Sequence, residues 1–207
     1  MKRYILFVVL GVMALGAAAD RFYIEDFTIL PGETRTVGIL LDNETEYTAF
    51  QCDLQLPEGL TVDEESFSLS DRKNSNHTLT VSEFPDNAYR LMSYSLTLKT
   101  YSGNSGALVT FDVTATGDFT GPVVMDLRNI LFTTEAGLEV SFDNEESSVY
   151  FRGDVNMDGK LSIGDVTSLI TMLLNESFIM PVADVNLDWK VSIGDVTTLI
   201  TILLTKD

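Results

Sequence analysis

The last quarter of the chain is written as two copies of one unit, and this duplication limits what that end can fold into. Residues 154–174 read Asp-Val-Asn-Met-Asp-Gly-Lys-Leu-Ser-Ile-Gly-Asp-Val-Thr-Ser-Leu-Ile-Thr-Met-Leu-Leu. Residues 184–204 repeat them with 16 of 21 positions identical, so each copy is one supersecondary unit. Each unit has two halves with different physics. The first is a twelve-residue segment with oxygen-bearing side chains at positions 1, 3, 5, 9 and 12. These are Asp154, Asn156, Asp158, Ser162 and Asp165, then Asp184, Asn186, Asp188, Ser192 and Asp195. The second half is a helix. Val166, Leu169, Ile170, Leu173 and Leu174 form one apolar stripe at helical spacing, and Val196, Leu199, Ile200, Leu203 and Leu204 repeat it. Neither stripe is satisfied alone, which predicts two helices packed on each other.

The oxygen spacing is that of an EF-hand loop, in which alternate residues of a tightly wound turn aim oxygens at a hard cation. Position 7, Lys160 or Lys190, offers its backbone carbonyl. Three carboxylates per loop repel one another unless a cation sits among them. A ligand set without Cys or His favours Ca2+ over zinc or copper. Two calcium sites are therefore expected, and they are unequal. Loop one has Gly159 at position 6, where the backbone turns into the left-handed region; loop two has Trp189, the single Trp of the chain. A bulky residue there costs on the order of 1 kcal/mol, so the second site is expected to be weaker. Trp189 either covers apolar surface nearby or stands exposed as an anchor for a partner.

A loop followed by one helix, duplicated, and opening with Gly153-Asp-Val-Asn-Met-Asp-Gly-Lys160, resembles the dockerin module of cellulosome-type assemblies. It departs from the full EF-hand in having Asp at position 12 and no amphipathic helix before either loop. The resemblance covers roughly 153–207. It implies calcium-dependent folding and docking onto a partner module called cohesin. In that family recognition is attributed largely to loop positions 10 and 11, here Ile163 and Gly164, then Ile193 and Gly194. The Ile-Gly pair makes any such contact apolar. Alternatively, Ile163 and Ile193 pack between the loops. Identical residues in both repeats suggest a nearly two-fold module that binds in two orientations.

Residues 20–146 read as all-β. Short runs rich in Val, Ile, Thr, Phe and Tyr span 21–29, 34–42, 47–56, 78–84, 89–95, 107–116, 123–132 and 138–142. Turn signals such as Pro31-Gly32 and Gly121-Pro122 separate them. That rhythm, with no helical period between, predicts a β-sandwich. Phe50, Cys52, Leu54 and Leu56 alternate with Gln51, Asp53 and Gln55, which makes Cys52 a small core hydrophobe. The segments 31–43, 47–60 and 102–113 resemble the opening turns, strands and glycine-rich closing turn of the cohesin and carbohydrate-binding sandwich superfamily. This implies a jelly-roll of cohesin-like shape. The acidic join at 144–148 is short and not Pro- or Gly-rich, so close coupling is expected, with Tyr150 and Phe151 packing against the helices.

The chain opens with Met1-Lys-Arg, an apolar run to Ala19 and an Ala17-Ala-Ala19 cleavage pattern, the signature of an export leader cut before Asp20. The run is shorter than the roughly 20 residues a membrane span needs. The chain carries 31 acidic and 13 basic residues; losing Lys2 and Arg3 brings its net charge from −18 to −20. Such a field repels nucleic acid and anionic membrane surfaces. One Cys excludes an intramolecular disulfide. No nucleophile motif surrounds any Ser, and His77 sits in the polar segment 71–77, read as an exposed loop, so no enzyme is expected. Tyr47, Tyr89, Tyr94 and Tyr101 are the sandwich's candidates for a sugar face. The resulting expectation has three parts: a leader (1–19), a cohesin-like β-sandwich (20–146) and a dockerin-like calcium domain (147–207). It is an exported, extracellular or cell-surface assembly protein whose partner is a cohesin-type domain or a second copy. The alternative is a polysaccharide-binding module carried into a complex by its dockerin.

Overall fold

Alternation of apolar and polar residues decides the first two-thirds of the molecule. The computed structural model describes residues 20–175 and 181–205; the expected leader lies outside the described residues. Twelve strands form in order: β1 (Arg21–Ile24), β2 (Phe27–Ile29), β3 (Thr34–Asp42), β4 (Tyr47–Gln55), β5 (Leu60–Val62), β6 (Ser68–Leu69), β7 (His77–Phe84), β8 (Ala88–Ser95), β9 (Ala107–Ala115), β10 (Val123–Thr134), β11 (Glu139–Ser141) and β12 (Glu145–Phe151). One sheet has the order β1-β3-β9-β5, with β6 also on β9. The other has the order β2-β12-β10-β4-β8-β7, with β11 also on β10. Pairing is antiparallel except between β12 and β2, which run parallel.

Both sheets feed one core. Ile39, Val109 and Phe111 enter from the first, and Phe50, Cys52, Leu54 and Phe132 from the second, all buried. An aromatic cluster ties the layers together. Phe22 of β1 meets Phe132 of β10 edge-on at 5.1 Å, and Phe142 stacks on Phe132 at 4.7 Å. Such ring pairs add to the hydrophobic gain of burial.

The structure redraws several expectations. The run 21–29 breaks at Glu25-Asp26, because β1 belongs to one sheet and β2 to the other. The sandwich continues past residue 146 to Phe151, since β12 pairs with both β10 and β2; the domain boundary therefore lies at 151/152. Phe151 joins the sandwich core beside Phe119. The segment 71–77 is not a free loop. Arg72 is buried, and His77 opens β7 with its ring stacked 4.1 Å from that of Tyr101. Burial holds the His77 imidazole below its ordinary pKa. Tyr47, Tyr89 and Tyr101 are buried, which removes three of the four tyrosines considered for a sugar face.

The tail forms α1 (Ile163–Leu174) and α2 (Ile193–Thr205), packed on each other. Val166, Leu169, Val196 and Leu199 bury their side chains between them, together with Val155, Ala183 and Val185 from the loops. Met172, Leu173, Ile202 and Leu203 complete that face, while Ile170, Leu174, Ile200 and Leu204 stand outside it. The true stripe is thus rotated from the one read off the sequence, because the loops cover part of each helix.

Close coupling to the sandwich has a definite joint. Gly153 has φ +87°, and a Cβ there would lie 3.0 Å from Leu199 Cδ1 and 3.1 Å from Leu161 Cδ2. Its N–H donates to the Val182 carbonyl at 2.9 Å. Beside it, the buried Arg152 donates to Glu33 Oε2 at 2.6 Å and its backbone N–H to Ile29 at 3.0 Å.

Candidate docking and calcium sites

Each loop winds around its own first aspartate. Asp154 accepts from the backbone N–H groups of Asp158 (3.0 Å) and Gly159 (2.8 Å). Asp184 accepts from Asp188 (3.1 Å) and Trp189 (3.0 Å). Position 3 bonds to position 5, and position 5 to the N–H of position 7, at 2.9–3.1 Å in both loops. Position 12 closes the loop and starts the helix. Asp165 accepts from Asn156 N and Ser162 N, at 3.1 and 2.9 Å, while Ser162 caps α1. Asp195 accepts from Val185, Asn186 and Ser192 at 2.8, 3.1 and 2.8 Å. One side chain therefore serves as loop latch and helix cap.

The electrostatics of these loops are unusual. Asp165 and Asp195 are fully buried and Asp154 nearly so. Among the described residues, the ion pairs involve none of the six loop aspartates. Burial pushes the Asp154 carboxyl above its ordinary pKa, against the N–H groups of Gly159 and Asp158, and repulsion from Asp165 and Asp158 adds to it. Buried carboxylates without a basic partner are held by hydrogen bonds, by protonation or by a cation. The donors at hand are all hard oxygens: Asp154, Asn156, Asp158, Ser162 and Asp165, with the Lys160 carbonyl, and their counterparts in loop two with the Lys190 carbonyl. This set fits Ca2+. Among the described residues, no three Asp, Glu, His or Cys side chains are grouped so that they could hold a metal ion.

Position 6 adopts the backbone expected of it in both loops, with φ +77° at Gly159 and +67° at Trp189. Trp189 carries that strain while 87% exposed, so it does not cover apolar surface. Trp189→Gly is expected to tighten calcium at loop two about fivefold, the equivalent of roughly 1 kcal/mol. Calorimetric titration of the full chain against the wild type checks it; an unchanged second affinity would show that the strain is immaterial.

Ile163 and Ile193 are each 72% exposed, which rules out packing between the loops. Gly164 and Gly194 are half-buried beside these isoleucines. A Cβ at either would come within 3.2 Å of the position-3 amide nitrogen and the position-9 hydroxyl, so these glycines make room for the loop. The outward surface of the helices is Ile163, Ile170 and Leu174, then Ile193, Ile200 and Leu204, separated by threonines. Thr167 and Thr171 turn their hydroxyls back to helix carbonyls at 3.1 and 2.8 Å. Neither helix contains Lys, Arg or Glu, and the one Asp in each is buried.

A second uncharged surface lies on the sandwich, and sequence reasoning missed it. On the outer face of β4, β8 and β7, one cross-strand row runs Ala49, Tyr94, Thr78 and the next runs Gln51, Met92, Thr80. Leu131 of β10 extends the second row. Met92 and Tyr94 are exposed, whereas their strand neighbours Ser93 and Ser95 are buried. The buried hydroxyls are satisfied: Ser93 pairs with the Tyr101 hydroxyl at 2.7 Å, and Ser95 accepts from Lys99 N at 3.1 Å. This inversion, apolar outside and serine inside, is the signal present in Tyr89–Ser95. A charged pair bounds the strip, with Arg90 clasping Asp53 through two bonds of 2.6 and 2.7 Å.

No protein-family model matches the chain, and a search of curated proteins finds no match. Solved structures match in fold. The sixth cohesin of Acetivibrio cellulolyticus scaffoldin B, in complex with a mutant Cel5 dockerin, is 10% identical with a TM-score of 0.55, over 64% of this chain and 99% of that one. A non-cellulosomal cohesin from Archaeoglobus fulgidus is 15% identical with a TM-score of 0.51, over 63% and 90%. A Clostridium thermocellum complex of the OlpA cohesin with a dockerin is 13% identical with a TM-score of 0.51, over 63% and 98%. The sandwich therefore has the fold of a cohesin module.

Proposed function

We propose that the chain is a non-catalytic assembly protein whose sandwich docks a dockerin-type module on the outer face of β4, β8 and β7. The observation that carries this reading is an uncharged strip with exposed Met92 and Tyr94 in a molecule of net charge −18. Interface centres are depleted in charge and enriched in Tyr and Met. The partner class comes from the similar cohesin structures, two of which hold dockerins. On the same reading the protein is exported and works in a cellulosome-like or cell-surface complex.

The uncharged outer face of α1 and α2 favours a second role for the tail. It is a calcium-stabilised, dockerin-like module that seats on a cohesin-type sandwich of another molecule. In the structure the tail is seated at the β2–β12 end of that sheet, and the strip lies across β4, β8 and β7. Docking between copies would be heterologous and would build rings or open chains.

Calorimetric titration of the full chain with type I dockerin modules tests the first role. Tyr94→Asp or Met92→Asp is expected to weaken binding at least 30-fold, about 2 kcal/mol, at unchanged thermal stability. Heat that survives both substitutions would place the interface elsewhere. Light scattering of the full chain in calcium and in chelator tests pairing between copies.

A further inference from the structure

A groove of about 460 Å³ separates the sandwich from the second loop. Glu25, Asp26 and Arg35 line it from the sandwich, and Leu187 and Trp189 from the loop. The duplicated units diverge here. In loop one, position 6 is Gly159, and a Cβ there would already sit 3.5 Å from Thr120 of the sandwich. In loop two the same position carries a Trp held at φ +67° and 87% exposed. A flat ring is thus presented at the mouth of a cavity whose size falls in the small-ligand range.

The groove's polar groups narrow the ligand. Glu25 and Asp26 offer carboxylate acceptors. Arg35 uses one nitrogen on the Thr28 carbonyl at 2.8 Å, lies over the Phe27 ring at 5.7 Å, and has further N–H groups to offer. Gly38, also in the lining, keeps part of that surface low. An anion would meet Glu25 and Asp26, and a cation would meet Arg35. A neutral ligand that both donates and accepts, with a flat apolar face for Trp189, satisfies all of them. A pyranose ring has that chemistry.

We infer that this groove is a saccharide-binding site, with Trp189 as the stacking platform and Arg35, Glu25 and Asp26 as hydroxyl partners. The site is shared between the two halves of the molecule. Trp189 N donates to Asp184 Oδ2 at 3.0 Å, so the order of loop two sets the attitude of the ring. Binding to this groove is separate from docking on the far sheet.

Trp189 is the chain's one Trp, so its emission reports the site directly. The full chain in calcium is titrated with cellohexaose, xylohexaose, mannohexaose and N-acetylchitohexaose. The expected result is a saturable blue shift with at least one of them. Arg35→Met should weaken it at least tenfold at unchanged melting temperature. Trp189→Gly should abolish retention on the matching insoluble polysaccharide. Both variants should keep any heat of dockerin binding, which separates failure here from failure of the docking role. No shift with any of the four sugars, or a shift that Arg35→Met leaves intact, overturns the proposal. Loss of dockerin binding in Trp189→Gly overturns it too, by making the ring a protein contact.

Discussion

Arg72→Met is expected to destabilise the sandwich by about 3–5 kcal/mol, although among the described residues no acidic side chain forms a salt bridge with Arg72. Its guanidinium is buried and donates to the carbonyls of Leu41 (2.5 Å), Ser102 (2.8 Å), Gly106 (3.0 Å) and Gly103 (3.1 Å), and to Asn43 Oδ1 (2.6 Å). These acceptors come from the end of β3 and from the turn before β9. Arg72 thus reinforces a junction that the backbone holds through Leu41 N to Gly106 O (3.0 Å) and Asn43 N to Asn104 O (2.9 Å). Methionine fills much of the volume but removes the guanidinium donors; Gly106 keeps its bond from Leu41 N, and each carbonyl left without a donor costs about 1–3 kcal/mol where water cannot reach. The cost is not the full sum, because the outer carbonyls regain solvent. Lysine should not rescue it, since a point donor cannot span five acceptors. Thermal unfolding should fall by about 10 °C for a molecule of this size, with urea melts giving the same loss. A change below about 1 kcal/mol would mean that the turns hold without their clamp.

Chelation of calcium is expected to loosen α1 and α2 while the sandwich stays folded. With free calcium at a hundred times its dissociation constant, one site contributes about 2.7 kcal/mol. The dependence should be steep because the tail's own core is small, resting mainly on Val166, Leu169, Val196 and Leu199. Asp195→Ala is expected to cost more than loss of the ion alone. It also strips the acceptor from the N–H groups of Val185, Asn186 and Ser192. Hydrogen exchange of the helix amides, with and without chelator, reads the effect in place. Equal protection in both conditions, with no calcium heat, would leave the tail an ordinary helical pair.

Much of this architecture was legible because it is local. The duplicated loops announce their turns at fixed spacing, and the strand containing Phe50, Cys52 and Leu54 shows its buried face by alternation. What was hidden depends on partners far away in the chain. Arg72 looked like a surface residue because its acceptors lie 29–34 residues away. Residues 147–151 read as part of the tail because their partners in β2 lie at the other end of the sandwich's sequence. The docking strip was obscured because Ser93 and Ser95 occupy inward positions that alternation assigns to apolar residues. The helix stripe came out rotated for a related reason: a period gives a face, while the loops that cover it decide which part is buried.

The parallel pairing of β12 with β2 has a mechanical consequence. Between the docking strip and the tail, the hydrogen-bonded path runs through β8, β4, β10 and β12 in that order. β12 then continues through Arg152 and Gly153 into the first loop. A pull on the tail is directed along β12, which is laced to β10 on one side and β2 on the other. Both ladders must slide at once, in shear, instead of opening bond by bond from a free end. Units joined tail to strip would carry tension through their sheets and not through a hinge.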